Sequence, residues 1–246
     1  MEKILENEQG KRKRKHDLRT IVNSILWITR TGVQWRNLDS RYPYWQIVYY
    51  YFHKWQRTGT LKELLSRLVV AERQRQGRNP RASRGAVDSQ SVKKVSFVHL
   101  DTGIDGGKLI NGRKRHLAVD SLGLPLAIAV TSAQVYDGQG GFELLWQIEE
   151  SSDSVRLICA DQTYRGEFSG VVQEIYKWKI EISQKPESKQ GFVPQKGRWQ
   201  VERSFSWLNF YRRLAKDYEK TVQASLAFIQ VAFCSIILAR NPSLEI

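Results

Sequence analysis

The 246-residue sequence has only two cysteines and four histidines. Cys159 and Cys234 lie far apart, each within an apolar stretch. They form neither a disulfide framework nor a Cys-x-x-Cys zinc pair, and no cluster of histidine and cysteine competes for a transition metal. We therefore exclude a disulfide-rich secreted domain, and we expect a reducing compartment.

The sequence also lacks a long, uninterrupted apolar run. Residues 1–20 are charged and contain no central apolar stretch, so no signal peptide is visible. The most apolar segment, residues 224–239, is interrupted by Gln230 and is shorter than the roughly 20 residues that span a bilayer. We interpret this segment as a buried helix, and we expect a soluble, intracellular protein without a membrane partner.

Positive charge is what the sequence has in excess. Lysine and arginine total 39 residues against 25 aspartates and glutamates, which gives a formal net charge of +14. A solvated basic surface is one explanation, but a polyanionic partner is favoured, and nucleic acid is favoured over an acidic protein or a membrane surface. The dense basic run at residues 10–16 is usually a solvated tail, and it becomes a phosphate-binding arm only in the context of a DNA-binding protein.

The N-terminal third has the apolar periodicity of three short helices. Asp17 is a candidate N-cap for the first helix, and Gly32 is a candidate end. We place the start of the second helix at Ser40, with Pro43 in its first turn, and the third helix at residues 61–75. Short helices with glycine-containing turns and many basic residues are typical of a helix-turn-helix module, with an ordinary helical bundle as the alternative.

The polar, basic stretch around Pro80 separates this helical part from the rest. We predict an N-terminal helical DNA-binding domain at residues 1–77, a linker at residues 78–85 and a second domain, which carries the candidate site residues, at residues 86–246. No internal repeat or low-complexity tract interrupts either domain.

Beyond residue 86 the pattern becomes that of strands alternating with helices. Residues 111–116 are interpreted as part of a basic, glycine-rich approach to a hairpin. The order indicates an α/β, ribonuclease H-like domain, a mixed sheet flanked by helices, in which the first and fourth strands lie side by side. The predicted strands cover residues 86–92, 117–120, 125–131, 155–160 and 179–183, and the predicted helices cover residues 142–149, 167–176 and 222–238, with one more around Glu202.

Three carboxylates stand at the edges of these apolar elements. Asp88 lies within the first strand, Asp161 directly follows the fourth, and Glu202 lies at the border of the apolar face of a helix. Burying a carboxylate in a strand is costly unless the group is paired or binds a metal. Two divalent ions roughly 3.5–4 Å apart activate the attacking oxygen and stabilise the leaving oxygen of a phosphodiester. Mg²⁺ prefers oxygen ligands, so the three carboxylates predict a site for two Mg²⁺ or Mn²⁺ ions.

Each member of this trio also has a structural interpretation. Asp88 could accept hydrogen bonds from a neighbouring loop, and Asp161 could cap a turn. Glu202 could form an ion pair with Arg198, four residues earlier on the same helix. Turn formation and capping explain two further aspartates, which are left out of the trio: Asp120, the first reserve, and Asp137.

Several sequence segments occur in an informative order. Residues 87–93 (VDSQSVK) are followed by residues 106–116 (GGKLINGRKRH), 160–166 (ADQTYRG) and 198–213 (RWQVERSFSWLNFYRR). Residues 30–36 (RTGVQWR) and 49–52 (YYYF) precede them. Together, over nearly all of the chain, these segments resemble the bacterial insertion-sequence transposases of the DDE class, in the IS-five-type branch of the IS-four-like superfamily.

The resemblance implies a transposase that binds the ends of its element and catalyses metal-dependent DNA cleavage and strand transfer. It assigns Asp88, Asp161 and Glu202 as the catalytic, metal-binding residues. It also implies double-stranded DNA as the partner, at least a dimer on two DNA ends, and a place in the bacterial cytoplasm at the nucleoid. The residues expected to contact DNA phosphates are Lys108, Arg113, Lys114, Arg115, Arg198, Arg203, Arg212 and Arg213.

Two departures limit the resemblance. A related pattern has Tyr three residues before the arginine and Lys seven after the glutamate, where this chain has Gln195 and Asn209, so only Arg198 and Glu202 match it. The resemblance also leads us to expect a further helix before the basic run, so we interpret the N-terminus as short. The alternatives are a non-catalytic DNA-binding remnant of a truncated transposase and a structure-selective nuclease of the same fold. Stacking on a DNA base and core packing are both open for Trp199 and Trp207.

Overall fold

The computed structural model describes residue 5, residues 16–151, residues 153–183 and residues 197–241. Most of the basic run at residues 10–16, and Gln195, lie outside the described residues. The described part contains N-terminal helices, a six-stranded mixed sheet and further helices on both faces of that sheet.

The N-terminal helices are α1 (Leu18–Thr31), α2 (Trp45–Arg57) and α3 (Thr60–Arg75), with a 3₁₀ turn at Trp35–Asn37. α1 begins where predicted, because the carboxylate of Asp17 accepts a hydrogen bond from the backbone N–H of Thr20 at 3.1 Å. It ends at Gly32, whose φ of 72° is left-handed and therefore suits glycine. The predicted start of α2 at Ser40 is wrong. A residue before proline avoids the helical conformation, so the helix cannot run through Pro43 and begins after it.

The strands are β1 (Arg84–Lys93), β2 (Gly103–Asp105), β3 (Ile110–Val119), β4 (Pro125–Ser132), β5 (Leu157–Ala160) and β6 (Lys179–Ile182). β3 pairs antiparallel with β1 and with β4, and the short β2 pairs with the start of β3. β5 lies parallel to both β1 and β6. The order β4-β3-β1-β5-β6 is that of the ribonuclease H-like fold, and this confirms the predicted fold class.

The remaining helices are α4 (Asp137–Ser151), α5 (Glu167–Glu174), α6 (Trp199–Leu208) and α7 (Val222–Arg240), with 3₁₀ turns at Gln162–Tyr164 and Arg212–Leu214. α4 and α5 cover one face of the sheet, where Val87 and Ala118 share an apolar cluster with Leu144 and Phe168. The other face is covered by α6, α7 and the N-terminal helices. Alternation along β1 therefore sends Val87 to one face and Asp88 to the other.

α7 is the central helix of the second apolar layer. Among the helices that the structure describes, it alone is long and apolar enough to cross a membrane by length and composition. It packs instead against α1, α3 and β4, and most of its apolar side chains are buried. This is the buried helix that the sequence predicts.

The N-terminal helices share their core with the sheet. The rings of Phe52 in α2 and Phe228 in α7 have centroids 4.6 Å apart. Both belong to one apolar cluster with Ala86 and Leu117 of the sheet. Residues 78–85 therefore mark a change of secondary structure within a shared core, and the division into two domains stays a prediction.

Two predicted boundaries in the sheet region are wrong. β3 begins at Ile110, so residues 111–116 belong to a strand and not to a loop. α4 begins at Asp137 instead of residue 142, with glycines in its first turns. A side chain at Gly140 would collide with the imidazole of His116, so these glycines allow the helix to approach the sheet closely.

Candidate active site

The parallel pairing of β1 and β5 brings two of the predicted carboxylates together. Ala86 and Cys159 are partners in the register of the two strands. Asp88 and Asp161 each lie two residues further along the chain, so they stand at the same level of the sheet. Asp161 follows the last residue of β5, and its Oδ1 accepts a hydrogen bond from the backbone N–H of Thr163 at 2.9 Å. The capping role considered for Asp161 is thus present in addition to its place beside Asp88.

The third carboxylate comes from the first turn of α6. Val201, Phe205 and Leu208 bury the apolar face of this helix. Ser204 fixes it to the β3–β4 turn, because its hydroxyl donates to the carbonyl oxygen of Gly123 at 2.8 Å. Glu202 lies at the border of this buried face and points into the space above β1 and β5.

A single nitrogen atom of Arg198 contacts the whole trio. Its Nη2 lies 3.0 Å from Asp88 Oδ2, 3.8 Å from Asp161 Oδ2 and 3.7 Å from Glu202 Oε1. The other guanidinium nitrogen, Nη1, donates to the hydroxyl of Ser183 at 3.3 Å. Four segments of the chain, β1, the end of β5, the residue after β6 and the start of α6, therefore meet at one guanidinium.

Asp88 is the most enclosed member of the trio. Its side chain is 19% exposed, against 28% for Asp161 and 32% for Glu202. Burial raises the pKa of Asp88 to about 6, against the opposing effect of the Arg198 charge, and the charge of Asp161 raises it further. A carboxylate in such a place needs a nearby cation to remain ionised.

The chemistry of this site fits a divalent metal ion. Carboxylate oxygens are the ligands that Mg²⁺ and Mn²⁺ prefer, and here they already surround one positive charge. Within the described ranges, no three carboxylate, histidine or cysteine side chains stand close enough to share one ion as placed. The guanidinium of Arg198 lies between the three carboxylates.

The two aspartates that were left out of the trio have structural partners. Asp120 is buried, forms an ion pair with Arg73, and accepts hydrogen bonds from the backbone N–H groups of Leu122 and Leu124 at 2.8 Å. It therefore shapes the β3–β4 turn and fastens that turn to α3. Asp137 starts α4 and is likewise held by other side chains. Neither aspartate contributes to the carboxylate site.

The structure contradicts the DNA-contacting role predicted for the basic residues of β3. Arg113 is fully buried, and its guanidinium donates to the carbonyl oxygens of Leu100, Glu219, Lys220 and Thr221 and pairs with Asp217. Arg115 is buried on the same face of β3 and donates to the carbonyl oxygen of Leu214 at 2.9 Å. These two arginines fasten the segment before α7 to the sheet. We withdraw both from the proposed DNA-contacting surface, because their charges do not reach it.

Lys114 lies in a buried polar network on the opposite face of β3. Its Nζ donates to Asp137 Oδ1 at 2.9 Å and to the carbonyl oxygen of Val135 at 2.8 Å. Ser89 donates to the same Asp137 oxygen at 2.6 Å, and Ser91 binds the neighbouring Asp105. The hydrogen bond from Ser91 is the largest cause that lowers the pKa of Asp105 to about 2. Lys114 is therefore also withdrawn as a phosphate contact.

The other predicted DNA-contacting residues divide by exposure. Arg213 is buried and paired with Glu219 at 2.7 Å, so it too is withdrawn. Lys108 and Arg212 are exposed. Arg203 is half-buried, and its guanidinium carbon lies 4.2 Å from the ring centroid of Trp199 and 4.8 Å from that of Trp207.

The network around Lys114 and the position of Ser183 were missed in the sequence. A signal for the Lys114 network was present in β1. Its side chains alternate between the two faces of the sheet, so Ser89 and Ser91 place two hydroxyls on one face of a buried strand. No local signal identifies Ser183 as a partner of Arg198, because the two come together only through the fold.

Comparison with known families agrees with this geometry. A family model described as the transposase DDE domain matches residues 79–237, more than half of the chain. The chain belongs to the DDE transposases. A second model, for transposases of the IS4/5 family, matches residues 1–65. The resemblance stated for the sequence is thereby confirmed, and the N-terminal helices of this DDE transposase are part of it.

One curated relative carries the name of a transposase for insertion sequence element IS402, from Burkholderia cepacia. It is 29% identical over 133 residues, which are 51% of this chain and 62% of the relative. The match thus covers less than two thirds of that protein's length.

Two solved structures of the Mos1 transposase also resemble the chain. The paired-end complex with the left transposon end has a TM-score of 0.29 and 11% identity, and it covers 95% of this chain and 81% of that one. The strand transfer complex has a TM-score of 0.27 and 12% identity, covering 95% and 80%. At this level of similarity, neither structure bears on what this chain does.

Proposed function

We propose that this DDE transposase acts on an insertion sequence, where it cuts the ends of the element and joins them to target DNA. The observation that carries the proposal is the convergence of Asp88, Asp161 and Glu202 on one guanidinium nitrogen, at 3.0, 3.8 and 3.7 Å. The three residues are up to 114 positions apart in the sequence (202 − 88), and only the fold assembles them.

The three carboxylates would hold two Mg²⁺ or Mn²⁺ ions. When bound, such ions activate an attacking oxygen and stabilise the leaving oxygen of a phosphodiester. The chain supplies the placement: Asp88 is fixed by β1 at the floor of the site, Asp161 by the turn after β5, and Glu202 by the docked helix α6. First water and then a freed DNA 3′-hydroxyl would attack at this site, and no covalent bond between protein and DNA is required.

The DNA surface that we propose is smaller than the one predicted from the sequence. Lys108, Arg203 and Arg212 remain, together with Arg198 at the site itself. Lys108 and Arg212 are exposed, and such side chains neutralise phosphates without reading the sequence. Arg203 is half-buried and Arg198 is buried, so these two are proposed to contact DNA only at the carboxylate site and beside it. We further propose that two copies act on two DNA ends, and that the protein works on chromosomal DNA in the bacterial cytoplasm.

The test is cleavage of a labelled duplex that carries the DNA flanking the coding sequence, in the presence of Mg²⁺. Wild type should cut at the element end and produce joined strands. Glu202→Gln should be at least about 10³-fold slower, since metal-assisted charge stabilisation amounts to several kcal/mol. Glu174→Gln is the matched control, because Glu174 is exposed on the last turn of α5; it should cut at the wild-type rate.

The same assay separates the two other candidates. A nuclease of this fold would cut without producing joined strands. A DNA-binding remnant would bind the duplex equally well as wild type, Glu202→Gln and Asp88→Ala, and would show no Mg²⁺-dependent cleavage with any of them. Either result would overturn the proposed function.

A further inference from the structure

We propose that Arg198 is an internal counter-ion of the metal-free site. Its guanidinium holds the place of a divalent cation among Asp88, Asp161 and Glu202, and it leaves that place when an ion binds. This inference rests on the proposed function and adds a step to it. Loading the site becomes a competition between a side chain and a metal ion for the same carboxylate oxygens.

The distances favour a shared counter-ion over an ordinary ion pair. An arginine that fixes one carboxylate usually forms two parallel hydrogen bonds with it. Here one nitrogen, Nη2, is within hydrogen-bonding distance of Asp88 at 3.0 Å and stands 3.7–3.8 Å from Glu202 and Asp161. The latter two contacts are too long for strong hydrogen bonds and act through charge. The guanidinium thus lies where the attraction of all three carboxylates is combined, which is also where a cation would be held.

The charges explain why the guanidinium and the metal exclude each other. Three ionised carboxylates and one guanidinium leave a formal excess of two negative charges, which attracts a divalent ion. An ion bound to two of these oxygens would lie within a few ångströms of Nη2, and like charges at that distance repel strongly in a partly buried site. The divalent ion has the higher charge and the preference for anionic oxygens, so the side chain is displaced.

Arg198 is buried, and its place at the start of α6 lets the guanidinium move while the helix stays in position. It is the N-cap residue of α6, one turn before Glu202, and its guanidinium sits at the end of a long, flexible stem. Its second nitrogen contacts Ser183, which lies directly after β6 and outside the trio. The displaced guanidinium stays beside the site, where it can contact a phosphate oxygen of bound DNA.

Competition and positioning predict opposite changes in metal affinity when Arg198 is removed. If Arg198 only arranged the carboxylates for the metal, its removal would weaken metal binding. If it competes with the metal, its removal strengthens metal binding and makes the metal-free protein less stable, because three carboxylates then lack their counter-ion.

The test uses Mn²⁺ as the probe, with binding followed by electron paramagnetic resonance of the free ion. Arg198→Gln should bind Mn²⁺ at least about tenfold more tightly than wild type, given the size of charge–charge interactions at these distances. Arg165→Gln is the matched control, because it removes the same charge from an exposed residue four positions after Asp161. Its Mn²⁺ affinity should change less than about twofold to threefold, since exposed charges are screened. Asp88→Asn should lose the tight Mn²⁺ binding and so locate it at the trio.

Thermal unfolding of the same proteins provides the second readout. In EDTA, Arg198→Gln should melt below wild type, and saturating Mn²⁺ should raise its melting temperature by more than it raises that of wild type. Equal or weaker Mn²⁺ binding by Arg198→Gln would overturn the counter-ion role while leaving the metal site, and therefore the proposed function, intact. Failure of wild type and all variants to bind Mn²⁺ would overturn both.

A measurement on wild type covers the case in which Arg198→Gln does not fold. The arginine side-chain ¹⁵N–¹H spectrum should contain a protected guanidinium signal in EDTA that is absent from the spectrum of Arg198→Lys. Diamagnetic Mg²⁺ should shift or broaden this signal as the site fills. A signal that is unchanged when calorimetry shows Mg²⁺ to be bound would contradict displacement.

Discussion

The carboxylate site and the basic strand β3 are two charged regions of the same sheet. They differ in how completely their charges are neutralised by neighbouring groups. In β3, Arg113 is enclosed and its guanidinium is matched by an ion pair and by carbonyl oxygens. At the carboxylate site, three partly exposed acids share one guanidinium and keep an excess of negative charge. Removing one partner of a buried ion pair is costly, so the partners of Arg113 tie it to the fold. We propose that the excess negative charge at the carboxylate site attracts a divalent ion. Charges of both kinds occur in motifs of this sequence, so a motif alone does not show whether its charges are held inside the fold.

Among single substitutions in these two regions, we expect Arg113→Met to cause the greatest loss of stability. Removing one partner of a buried ion pair leaves Asp217 and several carbonyl oxygens unmatched, so we expect a loss of about 3–5 kcal/mol in the free energy of unfolding. Urea denaturation checks it. Arg165→Met, an exposed arginine, should change the free energy by less than about 0.5 kcal/mol. A stable Arg113→Met protein that had lost only its affinity for DNA would contradict the structural role.

We expect a smaller effect on stability from the protonation of His116. This residue is buried on the other face of β3, and its Nε2 contacts the Thr131 hydroxyl at 2.9 Å. Burial lowers the pKa of His116 to about 4, while the nearby charge of Asp137 opposes the shift. The folded pKa is below the unfolded value, so the unfolded state binds more protons between these values. The stability that depends on neutral His116 is therefore lost as the pH falls from about 6.5 to 4, by about 3 kcal/mol.

The check is the pH dependence of unfolding in EDTA. His116→Gln should lose less stability than wild type over this pH range, whereas the exposed His99→Gln should follow wild type. Parallel curves for wild type and His116→Gln would show that the imidazole is not held in its neutral form.

The smallest effect is expected for Arg212→Gln, which removes an exposed charge beside the buried Arg213. We expect DNA affinity to fall by about threefold to tenfold for all sequences alike, and the slope of log affinity against log salt to decrease by about one. Lys179→Gln, on the edge strand β6, is the control and should leave both quantities unchanged. Wild-type affinity and salt slope for Arg212→Gln would remove this residue from the proposed DNA surface.

Much of the fold could be predicted from local signals. Asp17 and Gly32 bound α1 as expected, because capping and left-handed glycine are properties of a few neighbouring residues. The strand order followed from the alternation of strands and helices. The approach of Asp88 to Asp161 follows from that order, since both are two residues beyond partners in adjacent parallel strands.

The basic run could not be interpreted in this way. Every residue from Arg113 to His116 is polar, so the run has no apolar alternation to reveal a strand. Arg113 and Arg115 donate to carbonyl oxygens roughly 100 residues later in the chain, which no local pattern indicates. The arginine-rich motif therefore indicated DNA contacts, whereas in the structure its arginines bind carbonyl oxygens within the protein. The convergence on Arg198 was hidden for the same reason, because i,i+4 spacing identifies one of its three acidic neighbours and the fold supplies the other two.

We propose above all that Asp88, Asp161 and Glu202 form a site for divalent metal ions. The most direct measurement is a crystal structure of the protein soaked with Mn²⁺, with anomalous scattering used to locate the ions. We expect Mn²⁺ bound to oxygens of all three residues, with the guanidinium of Arg198 moved from its place among them. A folded protein whose trio still encloses Arg198 at saturating Mn²⁺, with ions elsewhere or absent, would contradict it.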